Sequence, residues 1–168
     1  ENPAPNFIVD VPKGCPIHCV NFTDQSIVGG VGSTITGWNW NFGDPSSGAN
    51  NTSTLQNPSH CYSNTGFYDV TLTVTTNNGC VGTLTIPAMV EVFAYPVAEF
   101  KPTPNPVSSF NPYVTFLNQS SSDVVYWNWN FGDGNTHTDN VTPNPGHTYP
   151  NTLDASYVVT LIVHNANG

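Results

Sequence analysis

One segment of seven residues occurs twice, letter for letter, in this chain of 168 residues. Residues 38–44, Trp-Asn-Trp-Asn-Phe-Gly-Asp, return 89 positions later as residues 127–133. Two further blocks repeat in the same order, because residues 57–62 resemble 144–149 and residues 68–74 resemble 157–163. The spacing between matched blocks changes by two residues, as expected where loops absorb insertions. The sequence therefore predicts two copies of one unit, at 1–94 and 95–168.

The charge of the chain argues against two classes of partner. Lys and Arg together number 2, Asp and Glu number 11, and the net charge is -9. Nucleic acids and anionic membrane surfaces are bound by clusters of basic residues, so we expect neither. No apolar run approaches the roughly 18 residues of a membrane-spanning helix, so direct membrane insertion is not expected. Charged residues make up only 8% of the chain, and uncharged polar residues carry its solubility, as is typical of secreted, repeat-built surface proteins.

Period-two alternation of apolar and polar residues dominates the sequence. Trp38, Trp40 and Phe42 alternate with Asn39 and Asn41, which places the aromatic rings on one face of a strand. With 15 Pro and 14 Gly between such segments, the chain is predicted to be all-β. Antiparallel strands in a unit of about 90 residues favour a two-sheet sandwich of immunoglobulin type. The strands predicted for the first unit, with room for one more short strand, span residues 6–10, 18–24, 36–42, 59–62, 67–75 and 82–93.

The second copy is expected to lack its last strand in this chain. Asn167 and Gly168 align with Asn78 and Gly79, and no residues follow that would match Cys80 to Phe93. Two interpretations of this pattern stay open. Either the chain is part of a longer array, or the strand comes from another molecule by strand addition.

The repeated blocks resemble the PKD (polycystic kidney disease) domain family. The family pattern is a Trp-x-Phe-Gly-Asp strand end, a His-x-Tyr block and a Gly-x-Tyr-x-Val-x-Leu-x-Val strand. Two departures affect turns: Pro45 stands where the family usually has Gly, and Ala155 replaces the Gly before Tyr157. The residues that carry the resemblance, and that we expect to form the core motif, are Trp40, Phe42, Asp44, His60, Tyr62, Trp129, Phe131, Asp133, His147 and Tyr149.

The resemblance implies a function as well as a fold. It implies tandem immunoglobulin-like sandwiches in an extracellular or cell-surface protein, with no shared catalytic site and no cofactor. The expected role is a structural or adhesive repeat module that acts as a rigid spacer or assembles into a filament or coat. Its expected partners are neighbouring domains or copies of itself, with a surface glycan or protein as a further candidate. The alternative is a substrate-binding accessory module of a secreted hydrolase.

Four cysteines all fall in the first unit, at positions 15, 19, 61 and 80. Strand parity turns Cys19 and Cys61 outward, and in a sandwich of this type their strands are neighbours, so a disulfide between them is expected. For the other two, an intramolecular Cys15–Cys80 bridge and bridges to neighbouring domains both remain open. Disulfides indicate an oxidising compartment.

The remaining polar motif residues are candidates for structural or ligand-binding roles. Asp44 and Asp133 are expected to cap backbone N–H groups in a turn, and His60 and His147 to be packed, hydrogen-bonded residues. No nucleophile motif or pair of catalytic carboxylates is recognisable, so an enzyme is not expected. A calcium site is the alternative for the second unit, with candidate ligands Asp123, Asp133 and Asp139. Exposed tryptophans would suit stacking on sugars, but alternation favours the core.

Overall fold

The computed structural model describes residues 2–108, 110–151 and 155–167. The chain divides into two compact units, Glu1–Ala94 and Tyr95–Gly168. Their regular secondary structure is almost all β-strand, which agrees with the predicted class of two immunoglobulin-like sandwiches. In the described part no helix is long and apolar enough to cross a membrane.

The first unit is a sandwich of two sheets. The strands are β1 (Phe7–Val9), β2 (Lys13–Gly14), β3 (His18–Asp24), β4 (Ile35–Asn41), β5 (Thr52–Ser53), β6 (Ser59–Tyr62), β7 (Gly66–Thr76) and β8 (Val81–Val92). The smaller sheet has the order β1-β3-β6, and the larger has the order β2-β8-β7-β4-β5. Neighbouring strands are antiparallel, except that β2 runs parallel to β8. A 3-10 helical segment, Pro45–Asn51, follows β4.

The predicted strands of this unit overlap the observed ones, and β7 and β8 form an antiparallel hairpin. The turn between β7 and β8 contains Gly79, whose N–H donates to the Thr76 carbonyl oxygen at 2.9 Å. Gly79 has φ +79°, a left-handed conformation that glycine adopts without strain. The two strands that the sequence did not place, β2 and β5, have two residues each, too few to show a period.

The predicted disulfide is confirmed. Cys19 and Cys61 lie directly opposite each other in the β3–β6 register, and their Sγ atoms are bonded. Both residues are exposed, whereas their neighbours Val20 and Tyr62 are buried. Because side chains alternate along a strand, the bridge lies on the outer face of the small sheet and leaves the core apolar.

The second unit repeats this arrangement with six strands in its described part. The strands are β9 (Phe100–Thr103), β10 (Tyr113–Asn118), β11 (Val124–Asn130), β12 (Thr136–Asp139), β13 (Gly146–Thr148) and β14 (Thr160–Asn165). The small sheet has the order β13-β10-β9 and the other sheet has the order β12-β11-β14. Within the described residues β14 pairs with β11 alone, so it is an edge strand, whereas its counterpart β7 lies between β4 and β8.

A fully buried tryptophan lies at the centre of each core. Trp40 and Trp129 are both 0% exposed. The ring of Phe7 lies 5.1 Å from Trp40, and that of Phe100 lies 5.1 Å from Trp129, both in edge-on geometry. Edge-on aromatic pairs contribute about 0.5–1.5 kcal/mol beyond the burial of their area. The two cores are therefore built on the same aromatic contacts.

Candidate functional site

The residues of the repeated motif that carry chemistry meet inside each unit. In the first unit Asp44 follows the β4 strand end, and His60 lies in the middle of β6 on the other sheet. Nε2 of His60 lies 3.2 Å from Oδ2 of Asp44, and both side chains are only 4% exposed. The pair therefore joins the two sheets beneath the surface. We call this group, with Phe42 and Tyr62, the aspartate–histidine network.

Aromatic packing holds the histidine ring in place. Phe42 stacks on His60 with 4.5 Å between ring centroids and 9° between planes, and Tyr62 meets the same imidazole edge-on at 4.6 Å. The Tyr62 hydroxyl donates to the Phe42 carbonyl oxygen at 3.0 Å. The carboxylate, the imidazole and the phenol of the network therefore all have partners in the protein.

A glycine turn directs the aspartate inward. Gly43 has φ +72°, and a Cβ at this position would lie 2.3 Å from the carbonyl oxygen of Asp69. Only glycine fits so close to another backbone, and its left-handed conformation turns the chain back toward the core. Gly132 has the same constraint, with φ +82° and the Val158 carbonyl oxygen at 2.4 Å. The Phe-Gly-Asp sequence thus follows from the geometry of the turn.

The second unit contains the same network. Nε2 of His147 lies 2.8 Å from Oδ2 of Asp133. Phe131 stacks on His147 at 4.2 Å and 2°, and Tyr149 meets the imidazole edge-on at 4.6 Å. The Tyr149 hydroxyl donates to the Phe131 carbonyl oxygen at 3.1 Å. The sequence patterns singled out all of these residues but did not pair the aspartates with the histidines. The aspartate and the histidine recur together in both repeats, and this recurrence is the sequence signal that could have paired them.

Hydrogen bonds keep both aspartates ionised. Burial alone would raise the pKa of the Asp133 carboxyl, but hydrogen bonds from His147 and Asn135 outweigh it and lower that pKa to about 2. The pKa of Asp44 is lowered in the same way, with burial outweighed by hydrogen bonds from Ser46 and His60. Burial also raises the pKa of the Tyr149 hydroxyl to about 12, and the Asp133 charge adds to this shift. These groups hold fixed protonation states near neutral pH, which suits a structural role.

The expected capping role differs between the two aspartates. Asp133 accepts a hydrogen bond from the backbone N–H of Asn135 at 3.0 Å. The Asp44 side chain makes no such cap at the start of the 3-10 segment; its carboxylate bonds instead to the Ser46 hydroxyl and to His60. The backbone enters the 3-10 segment at this point, and the Ser47 N–H donates to the carbonyl oxygen of Asp44 at 3.1 Å rather than to its carboxylate.

The tryptophans are not arranged as an exposed platform for sugars. Trp40 and Trp129 are fully buried, and Trp38 and Trp127 are partly buried against the same cores. The indole N–H of Trp38 donates to Oδ2 of Asp24 at 2.7 Å. Stacking of a sugar ring needs an open aromatic face, which the fully buried Trp40 and Trp129 do not present.

The three calcium candidates are not brought together. Asp123 accepts a hydrogen bond from the Asn165 amide at 2.9 Å, Asp133 belongs to the network, and Asp139 accepts from the Val141 N–H at 2.7 Å. Within the described residues no group of three or more His, Cys, Asp or Glu is placed to hold a metal. Calcium is normally held by six to eight oxygen ligands, so a shared site on these carboxylates is not favoured.

Cys15 and Cys80 are free thiols, and the structure does not join them. Cys15 follows Gly14, which pairs with Val92 at one end of β8, whereas Cys80 precedes Val81 at the other end. At about 3.3 Å per residue, β8 separates the two positions by roughly 35 Å. A disulfide requires Cα atoms within about 7 Å, so the intramolecular alternative is wrong for this fold.

Comparison with known proteins identifies the unit. The family model described as the PKD domain matches this chain twice, at residues 1–92 and 94–168. The chain belongs to the PKD domain family. Together the matches cover nearly the whole sequence, and PKD domains are non-catalytic modules. No catalytic domain is evident in the chain.

Three solved structures are similar to this PKD pair. The PKD1 domain of Vibrio anguillarum Epp is 29% identical, covers 55% of this chain and 98% of its own, and has a TM-score of 0.43. The PKD1 domain from the Vibrio cholerae metalloprotease PrtV is 28% identical, with the same coverages and TM-score. Carbohydrate-binding modules from the β-sandwich superfamily align at 15% identity over 100% of this chain and 94% of that chain, with a TM-score of 0.47. The family assignment rests on the family model.

Proposed function

We propose that this PKD pair is a non-catalytic structural module of an extracellular or cell-surface protein, in which folded sandwiches serve as spacers that resist mechanical force. The observation that carries the proposal is the aspartate–histidine network. In both units the aspartate, histidine and tyrosine that could do chemistry are bonded within the sandwich. In the first unit the Asp44 and His60 side chains are only 4% exposed, so a substrate could not reach them.

Two further features support the proposal of an extracellular or cell-surface protein. The bridge between Cys19 and Cys61 indicates an oxidising compartment, as for proteins that work outside the cytoplasm. The net charge of -9, with only 2 basic residues, favours a well-hydrated exterior over contact with anionic surfaces. The expected partners are neighbouring domains or further copies of the chain, arranged as an array, filament or coat.

The disulfide adds a mechanical feature to the first unit. Cys19 and Cys61 are 42 residues apart in sequence and join adjacent strands. Under tension, the residues between them are shielded from the pulling force while the bridge is intact. At about 3.5 Å per residue, this sequence separation of 42 corresponds to roughly 150 Å of chain that cannot extend.

Single-molecule force spectroscopy on the whole chain tests the spacer function. We expect two discrete unfolding events, one for each unit, and a reducing agent should lengthen one of them by roughly 150 Å. The Cys19→Ser/Cys61→Ser variant, pulled without reductant, is the matched control and should show the long step. Smooth extension with no discrete events would contradict a mechanical role. Electron microscopy of the native protein then shows whether the modules form arrays or filaments.

A further inference from the structure

In the first unit the aspartate of the aspartate–histidine network is followed by proline. Asp44–Pro45 is the one Asp–Pro bond in the sequence, whereas the equivalent bond in the second unit is Asp133–Gly134. A proline nitrogen carries no hydrogen, so it cannot close a ring on the side chain of the preceding aspartate. The intramolecular reaction left to the Asp44 carboxylate at this bond is attack on its own carbonyl carbon.

The carbonyl oxygen of Asp44 accepts two hydrogen bonds from one residue. The Ser47 hydroxyl donates to it at 2.7 Å, and the Ser47 backbone N–H donates at 3.1 Å. Fixed donors on a carbonyl oxygen stabilise the negative charge that develops there when a nucleophile attacks the carbon. In acyl transfer one such donor accelerates the reaction on the order of 100- to 1000-fold. Ser47 therefore polarises the carbonyl of the Asp44–Pro45 bond.

The side chain of Asp44 is held by its neighbours as well. The Ser46 hydroxyl donates to Oδ1 of Asp44, and His60 lies against Oδ2. The Asn64 amide donates to the Ser46 hydroxyl oxygen at 3.0 Å, which leaves the hydroxyl hydrogen for the carboxylate. Reacting groups of one molecule that are fixed side by side react much faster than free ones. Two consecutive serines thus hold the carboxylate and the carbonyl of the same residue.

Burial differs across this peptide bond. Asp44 and His60 are 3% and 5% exposed, whereas Pro45 and Ser46 are exposed to solvent. An intramolecular reaction needs no substrate to enter, so the burial that excludes a substrate does not prevent it. The proline side of the bond is open to the water that hydrolysis consumes.

The second unit holds its aspartate in another way. Asn135 donates its backbone N–H to Oδ1 of Asp133 and its side-chain amide to Oδ2, each at 3.0 Å. The next residue, Gly134, has φ +94°, a conformation that proline cannot adopt. The network therefore forms in the second unit without a serine pair or a proline after the aspartate. Its structural role does not explain these residues in the first unit.

We propose that the first unit cleaves its own chain between Asp44 and Pro45. The Asp44 carboxylate forms a C–O bond with its own carbonyl carbon, and the C–N bond to Pro45 breaks, which gives a cyclic anhydride. The Pro45 nitrogen takes a proton from the protonated imidazole of His60. Water then opens the anhydride to two carboxylates, and the two protons released go to His60 and to the Pro45 amine. The net reaction is hydrolysis of one peptide bond, once in each molecule.

The disulfide spans the cleaved bond. Cys19 precedes Asp44 and Cys61 follows Pro45, so the bridge keeps the two pieces joined. Strand β3 stays paired with β6, and β4 with β7, which keeps the sandwich assembled. Cys15 and Cys80 are free thiols, so the bridge becomes the single covalent link between the pieces. Cleavage therefore adds to the spacer a joint that reduction opens.

Electrophoresis and mass spectrometry of the whole chain, with and without reductant, test the proposal. After incubation at about pH 6, where histidine commonly carries a proton, we expect one unreduced species that has gained the mass of one water. Reduction should release pieces 1–44 and 45–168. Pro45→Gly, which copies the second unit, should give no pieces. Ser47→Ala should slow cleavage by about tenfold or more, and the matched control Ser59→Ala, on an exposed serine of β6, should not.

The denatured chain separates a reaction of the fold from the ordinary acid lability of an Asp–Pro bond. In guanidinium chloride the bond is present but its neighbours are not held, so cleavage at the same pH should be at least about tenfold slower. His60→Gln keeps a donor for the carboxylate but has no proton to release, and it should slow cleavage by a similar factor. Thermal midpoints show that each variant folds.

Several outcomes would overturn the proposal. They are an uncut wild type, cleavage that is as fast in the denatured chain as in the folded one, cleavage at this position in Pro45→Gly, and an unchanged rate in folded Ser47→Ala. The force experiment on the uncleaved chain tests the spacer function separately. A cleaved chain is recognised there because its tether parts under reductant instead of lengthening.

Discussion

The two units share one network but differ in what surrounds it. In the first unit, the core is closed by β8, whose Val90 and Val92 are 0% and 3% exposed, and β3 is bridged to β6 by a disulfide. The second unit has Tyr113 opposite Thr148 in the matching register. It also has an open cavity of about 410 Å³, lined by residues including Phe100, Val114, Phe116, Tyr149, Tyr157 and Val159.

This difference separates what defines the fold from what adds stability. Both units keep the buried tryptophan, the aspartate–histidine network and the glycine turn with nearly the same geometry. The disulfide and the closing strand occur in the first unit within the described part of the chain. We therefore expect the first unit to be the more stable, and the network to be the element without which neither unit packs correctly.

The largest effect is expected from removing the central tryptophan. Trp40→Ala should destabilise the first unit by about 3–5 kcal/mol, since truncating a buried Trp leaves a cavity. Trp129→Ala should cost the second unit a similar amount and is more apt to unfold it, because that unit starts from a lower stability. Near-UV circular dichroism during urea unfolding measures both. If the two variants keep the same fraction of folded structure in the affected unit, the proposed order of stability is contradicted.

An effect of about 2–4 kcal/mol is expected from the disulfide. Cys19→Ser/Cys61→Ser removes a cross-link that closes a loop of 42 residues, and the first unit should lose that much free energy of unfolding. The converse variant, Tyr113→Cys/Thr148→Cys, places cysteines at the equivalent pair and should raise the midpoint of the second unit by a smaller amount. Urea midpoints with and without reductant measure the change. If reductant leaves the urea midpoint of the wild type unchanged, the disulfide is not a source of the difference in stability between the two units.

The smallest effect is expected from lowering the pH, which tests the aspartate–histidine network that both units share. The pKa of Asp133 is about 2 in the folded chain, against about 3.9 for an unfolded Asp. A depressed pKa stabilises the fold above the unfolded value, so this contribution is complete above about pH 4 and is lost as pH falls toward 2. Asp133→Asn should remove that part of the pH dependence in the second unit while leaving the response of Asp44 in the first. Urea midpoints between pH 5 and pH 2 measure this pH dependence. If the midpoint of the variant falls with pH as steeply as that of the wild type, the role of Asp133 is contradicted.

Much of the fold could be predicted because its patterns are local. Strand alternation placed Trp40 and Phe42 on the core face, and parity placed Cys19 opposite Cys61. The two-residue strands β2 and β5 could not be predicted, since they depend on which distant strand lies beside them. The same holds for Cys15 and Cys80, whose separation is set by the length of β8.

The sequence by itself determined that the chain is two copies of an all-β unit with aromatic cores and a disulfide on one sheet. These properties follow from periodicity and repetition, which are visible along the chain. Only the tertiary structure decided that Asp44 meets His60 and that Asp133 meets His147. These contacts join residues on different strands or sheets, so they exist only once register and packing are set.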